Sequence, residues 1–210
     1  MGQYYKPLLI TPDGRVLVLS PHEFSSFSKL TEHSWISNPF VNAVFSLIYD
    51  SGKRVAWIGD YSEQEYDTCG EAYTKALPFD EFHKYKEAAW GENTDGLPSK
   101  LFSARDLNIL NSNTKGMFLV NNDKRLYIDM AAYISENTTK GGTWDGWCVN
   151  PLPILTACGN GRGGGDFHSG GEGYDDVGIW AFDCLEYTAK TPNGYSEVFF
   201  NFREKREAVA

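Results

Sequence analysis

With 210 residues, 41% of them hydrophobic, the chain is long enough for one domain whose core needs no disulfide or metal staple, and too apolar to be disordered. Its 28 acidic residues outweigh 19 Lys and Arg, a formal charge of −9, which argues against a basic face for a nucleic-acid polymer or an anionic membrane. No apolar run of about 18 residues is present to cross a bilayer.

In chain order, the first residues carry no charged segment leading into an apolar one, so nothing there reads as a secretory leader and a cytoplasmic location is expected. Gly2 does not make a myristoylation motif, because Lys6 stands where Ser or Thr is required. Tyr4 to Ile10 and Arg15 to Leu19, joined by Thr11-Pro12-Asp13-Gly14, predict a β-hairpin. Asn38 followed by Pro39, with Phe40, Val44, Leu47 and Ile48 at helical spacing, predicts a helix over 39–49. Arg54 to Ile58 reads as a short buried strand. Glu71 to Trp90, rich in Glu, Lys and Ala, predicts two helical segments broken at Pro78, and 91–100 predicts a loop. A second hairpin is expected from Met117 to Val120 and Arg125 to Met130 around Asn121-Asn122-Asp123. Pro151 and Pro153 frame a short apolar segment ending at Cys158, and Ile179 to Tyr187 and Glu197 to Phe202 read as closing strands. Strands at both ends around a helical middle predict a single α+β domain over 1–210 with a largely antiparallel sheet. The four cysteines, Cys69, Cys148, Cys158 and Cys184, lack any Cys-x-x-Cys pair and are expected to be free thiols. The spacing of Cys148 and Cys158 fits no common zinc pattern.

The candidate chemistry centres on Gly159 to Gly173, where eight of fifteen residues are glycine. Gly159-Asn160-Gly161-Arg162-Gly163-Gly164-Gly165 contains a G-x-G-x-x-G, but the run continues as loop instead of opening a helix, which rejects a dinucleotide fingerprint. No Gly-Lys-Ser or Gly-Lys-Thr makes a P-loop. What remains is a backbone nest for an anion, with Arg162 adding a two-pronged donor. Among the tryptophans Trp35, Trp57, Trp144, Trp147 and Trp180, which offer flat faces for stacking, Trp35, with His33 beside it, is assigned to the ligand. A satisfied core position is the competing reading for His33. Asp166 and His168, on one side of an extended backbone, could instead ligate a divalent metal with His33 or His22 as a third ligand. Seven carboxylates between 141 and 189, against Arg162 alone, allow a third reading as an acidic surface for a basic protein partner. His33-Ser34 and His168-Ser169 repeat a His-Ser pair, but a two-histidine phosphoesterase places the hydroxyl two residues after each histidine, where Trp35 and Gly170 stand.

The segments Met-Gly-Gln-Tyr-Tyr-Lys at 1–6, Leu30-x-Glu32-His33-Ser34-Trp35, Val55 to Tyr61, and Asn150-Pro151-Leu152-Pro153 through Gly159 to Asp166 resemble a family of small bacterial and phage proteins without assigned function. The resemblance leaves out the middle from about 63 to 115 and assigns no role to any residue; it implies a bacterial or phage origin. The leading expectation is a cytosolic binding protein for a small anionic ligand. A nucleotide is the ligand class that joins such a charge to a flat face, and a phage-type sequestering or counter-defence role would suit it. The alternatives are a metal-assisted hydrolase or transferase using Asp166 and His168, and an acidic interaction or inhibitor module.

Overall fold

The computed structural model describes residues 2–62, 77–91, 99–102, 107, 114–143, 145–159 and 176–202. The first hairpin forms as its turn chemistry dictates. Strand β1 (Tyr5–Ile10) pairs antiparallel with β2 (Val16–Leu19), the Gly14 N–H donates to the Thr11 carbonyl at 2.8 Å, and Gly14 takes the left-handed φ of 81°. Strand β3 (Lys53–Gly59) lies antiparallel on the other side of β1, with Tyr5 opposite Gly59 and Ile10 opposite Arg54.

Side chains alternate across these strands, and both faces are buried. Tyr5, Leu9, Leu17, Leu19, Val55 and Trp57 enter the larger core, while Leu8, Val16, Val18, Ala56 and Ile58 enter a second core behind the sheet. Burial on both faces is why β3 reads as an unbroken apolar run instead of an alternating one. The whole sheet runs β4 (Ser99–Phe102), β2, β1, β3, β8 (Cys184–Thr188), β5 (Phe118–Asn121), β6 (Leu126–Asp129), β9 (Ser196–Glu197), and the two-residue β7 (Ala157–Cys158) also joins β3. Pairings β2–β4, β3–β7 and β6–β9 are parallel and the others antiparallel. The fold is α+β, with a mixed and mostly antiparallel sheet.

The larger core is covered by α1 (Leu30–His33), α2 (Pro39–Leu47), α4 (Met130–Asn137) and α5 (Pro151–Leu155), which bring Leu30, Phe40, Tyr133 and Leu152 to it. Helix α2 starts where expected: the Asn38 carboxamide oxygen accepts from the Phe40 and Val41 N–H groups at 2.9 and 3.4 Å, and Pro39 occupies the first turn. Helix α3 (Phe79–Trp90) covers the second core through Phe82 and Ala89. It is pinned by Lys6, whose ammonium donates to the Ala89 carbonyl at 2.9 Å and lies 4.2 Å from the centre of a Trp90 ring. Among the described residues no helix is long and apolar enough to cross a membrane.

Several elements depart from the sequence reading. The loop expected to 100 gives way to β4 at Ser99, because β2 has an open edge for it to join in parallel. The second hairpin forms, but its outgoing strand stops at Asp129, whose carboxylate accepts from the Ala131 and Ala132 N–H groups at 2.9 and 3.1 Å and starts α4. The segment framed by prolines closes into α5, started by the Asn150 side chain accepting from the Leu152 N–H at 3.0 Å. Residues 179–183 form turns before β8 begins, with Phe182 at φ 63° so that its ring reaches Phe82 and its N–H donates to the Val55 carbonyl at 2.8 Å. The last strand shortens to Ser196–Glu197. Of the paired helices expected over 71–90, the second is α3, while residues 71–76 lie outside the described residues. Cys148, Cys158 and Cys184 are free thiols; Cys69 lies outside the described residues.

At the carboxyl end of β7, Gly159 is packed against the wholly buried Tyr5. A Cβ there would lie 2.2 Å from the Tyr5 hydroxyl, which is held in place by its 2.8 Å hydrogen bond to the Gln3 carboxamide oxygen. Gly159→Ala is therefore expected to destabilise the protein by about 1–3 kcal/mol through overpacking. Urea unfolding checks this, and an unchanged midpoint would contradict it.

Candidate functional site

Two tryptophans 112 positions apart in the sequence are joined by a short antiparallel contact between 34–36 and 148–150. Trp35 bridges Val149, the Ile36 N–H donates to the Cys148 carbonyl at 3.0 Å, and the Asn150 N–H donates to the Ser34 carbonyl at 2.9 Å. The consequence is a Trp35–Trp147 pair with ring centroids 4.5 Å apart and planes at 84°. The loop that presents Trp147 is closed on itself: the Thr139 N–H donates to the Trp147 carbonyl at 2.8 Å, and the Gly141 N–H to the Asp145 carboxylate at 2.6 Å.

Most of the remaining lining comes from the segment between β2 and α2, which also carries Trp35. After the 3-10 turn Pro21–Phe24 the chain reverses at Ser25, φ 53°, and Ser37, φ 71°, makes a second left-handed corner just before α2. Neither is glycine, and each such conformation costs of order 1–3 kcal/mol, a strain that surrounding contacts must sustain. Phe27, between these corners, is 71% exposed, and Trp147 is 44% exposed. Together these walls enclose a groove of about 570 Å³ lined by Phe27, Glu32, Trp35, Asn38, Trp147 and Cys148, with smaller residues between.

Most polar groups of the groove are already engaged. The Asn38 oxygen caps α2 and its amide donates to the Ser26 hydroxyl at 3.3 Å; the Thr138 hydroxyl donates to the Ile134 carbonyl at 2.6 Å. Glu32 is the one charged side chain among the described residues lining it. One of its oxygens accepts from the Lys29 N–H at 3.2 Å, and the other lies 3.6 Å from the Lys29 ammonium. Burial pushes the Cys148 thiol up to about 11, so it stays protonated at neutral pH and is a poor nucleophile.

His33 lies beneath the groove and not in it. It is wholly buried, with Nδ1 at 3.0 Å from the Phe27 carbonyl and Nε2 at 3.0 Å from the Trp57 indole nitrogen. An indole N–H only donates, so Nε2 accepts and Nδ1 carries the proton, donating to Phe27. Both ring nitrogens are used. His33 thus occupies the core position that competed with its assignment to the ligand. Of the other tryptophans considered, Trp57 and Trp180 are wholly buried in the core and Trp144 lies outside the described residues. Trp147, weighed in the sequence only as one flat face among five, is the one that joins Trp35. Phe27 carried no sequence signal, and Glu32 stood out only as the carboxylate of Glu32-His33-Ser34-Trp35, whose adjacency does not make a relay; their place in the lining follows from the corner at Ser25 and the short helix α1.

Gly159 is a packing glycine at the end of β7, as described. Asn160, Gly161, Arg162, Gly163, Gly164, Gly165, Asp166 and His168 lie outside the described residues. Among the described residues no group of three or more His, Cys, Asp or Glu side chains is placed to hold a metal ion. Two members of the acidic flank serve the fold itself: Asp145 closes the Trp147 loop, and Asp183 accepts from Lys124 and, at 2.7 Å, from the Asn121 amide.

No family model, no curated protein and no solved structure matches the chain. The groove is thus read from its own chemistry among the described residues: exposed aromatic faces, one anchored carboxylate, serine hydroxyls, and Asn38 and Thr138 side chains already engaged.

Desolvation by burial holds the His33 imidazole down at about 4, against an ordinary 6.5. As pH falls the unfolded chain takes up this proton before the folded one does, so the contribution of His33 is complete above pH 6.5 and is lost towards pH 4. The expected loss is about 3 kcal/mol across that window. Unfolding free energies of the protein and of His33→Gln measured between pH 7 and 4 check it. The variant should show the shallower slope, and parallel slopes would contradict the assignment.

Proposed function

We propose that the protein is a cytoplasmic binding protein for a small ligand, held in the groove between Phe27 and the Trp35–Trp147 pair. The observation that carries this reading is the perpendicular tryptophan pair at the wall of an open groove, with Trp147 44% exposed. Large aromatic faces left in water at a concave surface are favourable to cover, and each covered face gives the ligand both apolar burial and stacking. Two left-handed serines at the corners of one wall supply a further reason, since backbone strain of this kind gathers where a shape is held for a purpose. Binding suits the groove better than turnover: among its described lining residues the one thiol is protonated and no histidine accompanies the one carboxylate.

A second reading concerns the glycine-rich run from Gly159 to Gly165 and the Arg162 guanidinium, as a nest for an anion such as a nucleotide phosphate. One observation favours it. Strands β3 and β7 run parallel, and the run begins at the carboxyl end of β7, opposite the end of β3, just past the point where Gln3 packs against both Gly59 and Gly159. Loss of a phosphate-dependent thermal shift in Arg162→Ala would support that site; an unchanged shift would remove it.

For the groove, the expected outcome is that ligand-detected NMR with a panel of nucleosides, sugars and ammonium compounds finds at least one class that binds. Trp147→Ala, at a partly exposed position, should weaken that ligand on the order of ten- to a hundredfold, the span of one lost stacking face. A ligand whose affinity is the same for both proteins, or a panel with no binder, would overturn the reading.

A further inference from the structure

We infer that the groove takes a methylated ammonium cation, an inference that rests on the groove being a ligand site. Three features together point there. The first is the aromatic surface. Trp35 and Trp147 meet at 84°, forming two walls of a corner, and Phe27, in the same lining, stands 71% exposed. The negative faces of such rings attract a cation, tryptophan most strongly.

The second is charge. Glu32 is the one charged side chain among the described lining residues, and the chain as a whole carries −9. A phosphate or carboxylate entering the groove would meet the Glu32 carboxylate and no cation among those lining residues. A positive ligand gains both from that carboxylate and from the long-range field. The Lys29 ammonium, 3.6 Å from Glu32, shows that the carboxylate already has a cation beside it, but that pair is more than a third exposed and such pairs hold weakly. The backbone N–H of Lys29 at 3.2 Å, in contrast, keeps the carboxylate in position whether or not the ammonium stays.

The third feature separates a methylated cation from a primary ammonium or a guanidinium. N–H donors stripped of water must find acceptors. Here the Asn38 oxygen is spent on the Phe40 and Val41 N–H groups, and the Thr138 and Cys148 donors point to the carbonyls of Ile134 and Val149. Beyond Glu32, the acceptors left among the described lining side chains are the hydroxyls of Ser25, Ser26 and Ser37, weaker partners for N–H groups than a carboxylate. A quaternary ammonium asks for none: its methyl groups carry the spread positive charge to the aromatic faces and bury apolar surface as they do so.

The test uses the full chain with choline and its neutral carbon isostere, 3,3-dimethylbutan-1-ol, as probes, titrated by NMR of their methyl protons. The two have nearly the same shape, so their difference isolates the charge. Choline is expected to bind on the order of tenfold more tightly than the isostere. That preference should shrink in Glu32→Gln, in Trp147→Ala and at high salt. Equal binding of the two probes, both lost in Trp147→Ala, overturns the cation inference and keeps the groove as a site. The cation inference also falls alone if neither probe binds while another ligand of the panel binds in a Trp147-dependent way. If neither probe nor any ligand of the panel binds, both readings fall together.

Discussion

The indole N–H of Trp57 sits in the 55–59 stretch of β3, buried on both faces, and a buried donor there has to be satisfied from within. His33 satisfies it. Because its Nε2 accepts from Trp57, its Nδ1 must hold the proton, and that proton is directed to the Phe27 carbonyl. One hydrogen-bonded line thus runs from the centre of the sheet to the segment that forms one wall of the groove. The T-shaped contact of His33 with Phe40, at 5.2 Å between centroids, fixes the same imidazole against α2. An unmet Trp57 donor would cost roughly 1–3 kcal/mol, so the arrangement is held by the core and not by the surface segment it positions.

The Trp35–Trp147 pair is set by a second constraint. The three-residue contact between 34–36 and 148–150 aligns Trp35 with Trp147, and the closed loop at 139–147 sets the angle of the second ring. The segment that carries Phe27 and Trp35 is thus fixed both through a side-chain hydrogen bond to the core and through backbone pairing with 148–150. Neither constraint depends on a ligand. A preformed apolar corner loses little freedom when it is filled, the condition under which a small ligand binds with useful affinity.

The elements most legible in the sequence were those whose boundaries are written in single residues. Thr11-Pro12-Asp13-Gly14 marked the first hairpin, Asn38-Pro39 the start of α2, and Asn121-Asn122-Asp123 the second hairpin, because turn and cap chemistry act locally. Helix α4 was hidden by Asp129, which ends β6 and caps the helix at once; an acidic residue ahead of Met130-Ala131-Ala132 was the available signal. The shape of 179–183 could not be read, since the left-handed Phe182 is imposed by distant partners, Phe82 and the Val55 carbonyl. Of the site, Trp35 was legible as an aromatic with a ligand role to test. Its pairing with Trp147 was not, because contacts across so long a separation leave no local trace. His33, two positions before Trp35, is drawn into the core by Trp57, a distant partner that the local sequence does not announce.

The dependence of the groove on the buried line from Trp57 is tested most directly by nitrogen NMR of the His33 ring in the native protein. At pH 5.5 a neutral imidazole is predicted, protonated at Nδ1, with the Trp57 indole proton slow to exchange with solvent. An imidazole that titrates with an ordinary midpoint near pH 6.5, or one protonated at Nε2, would contradict the account.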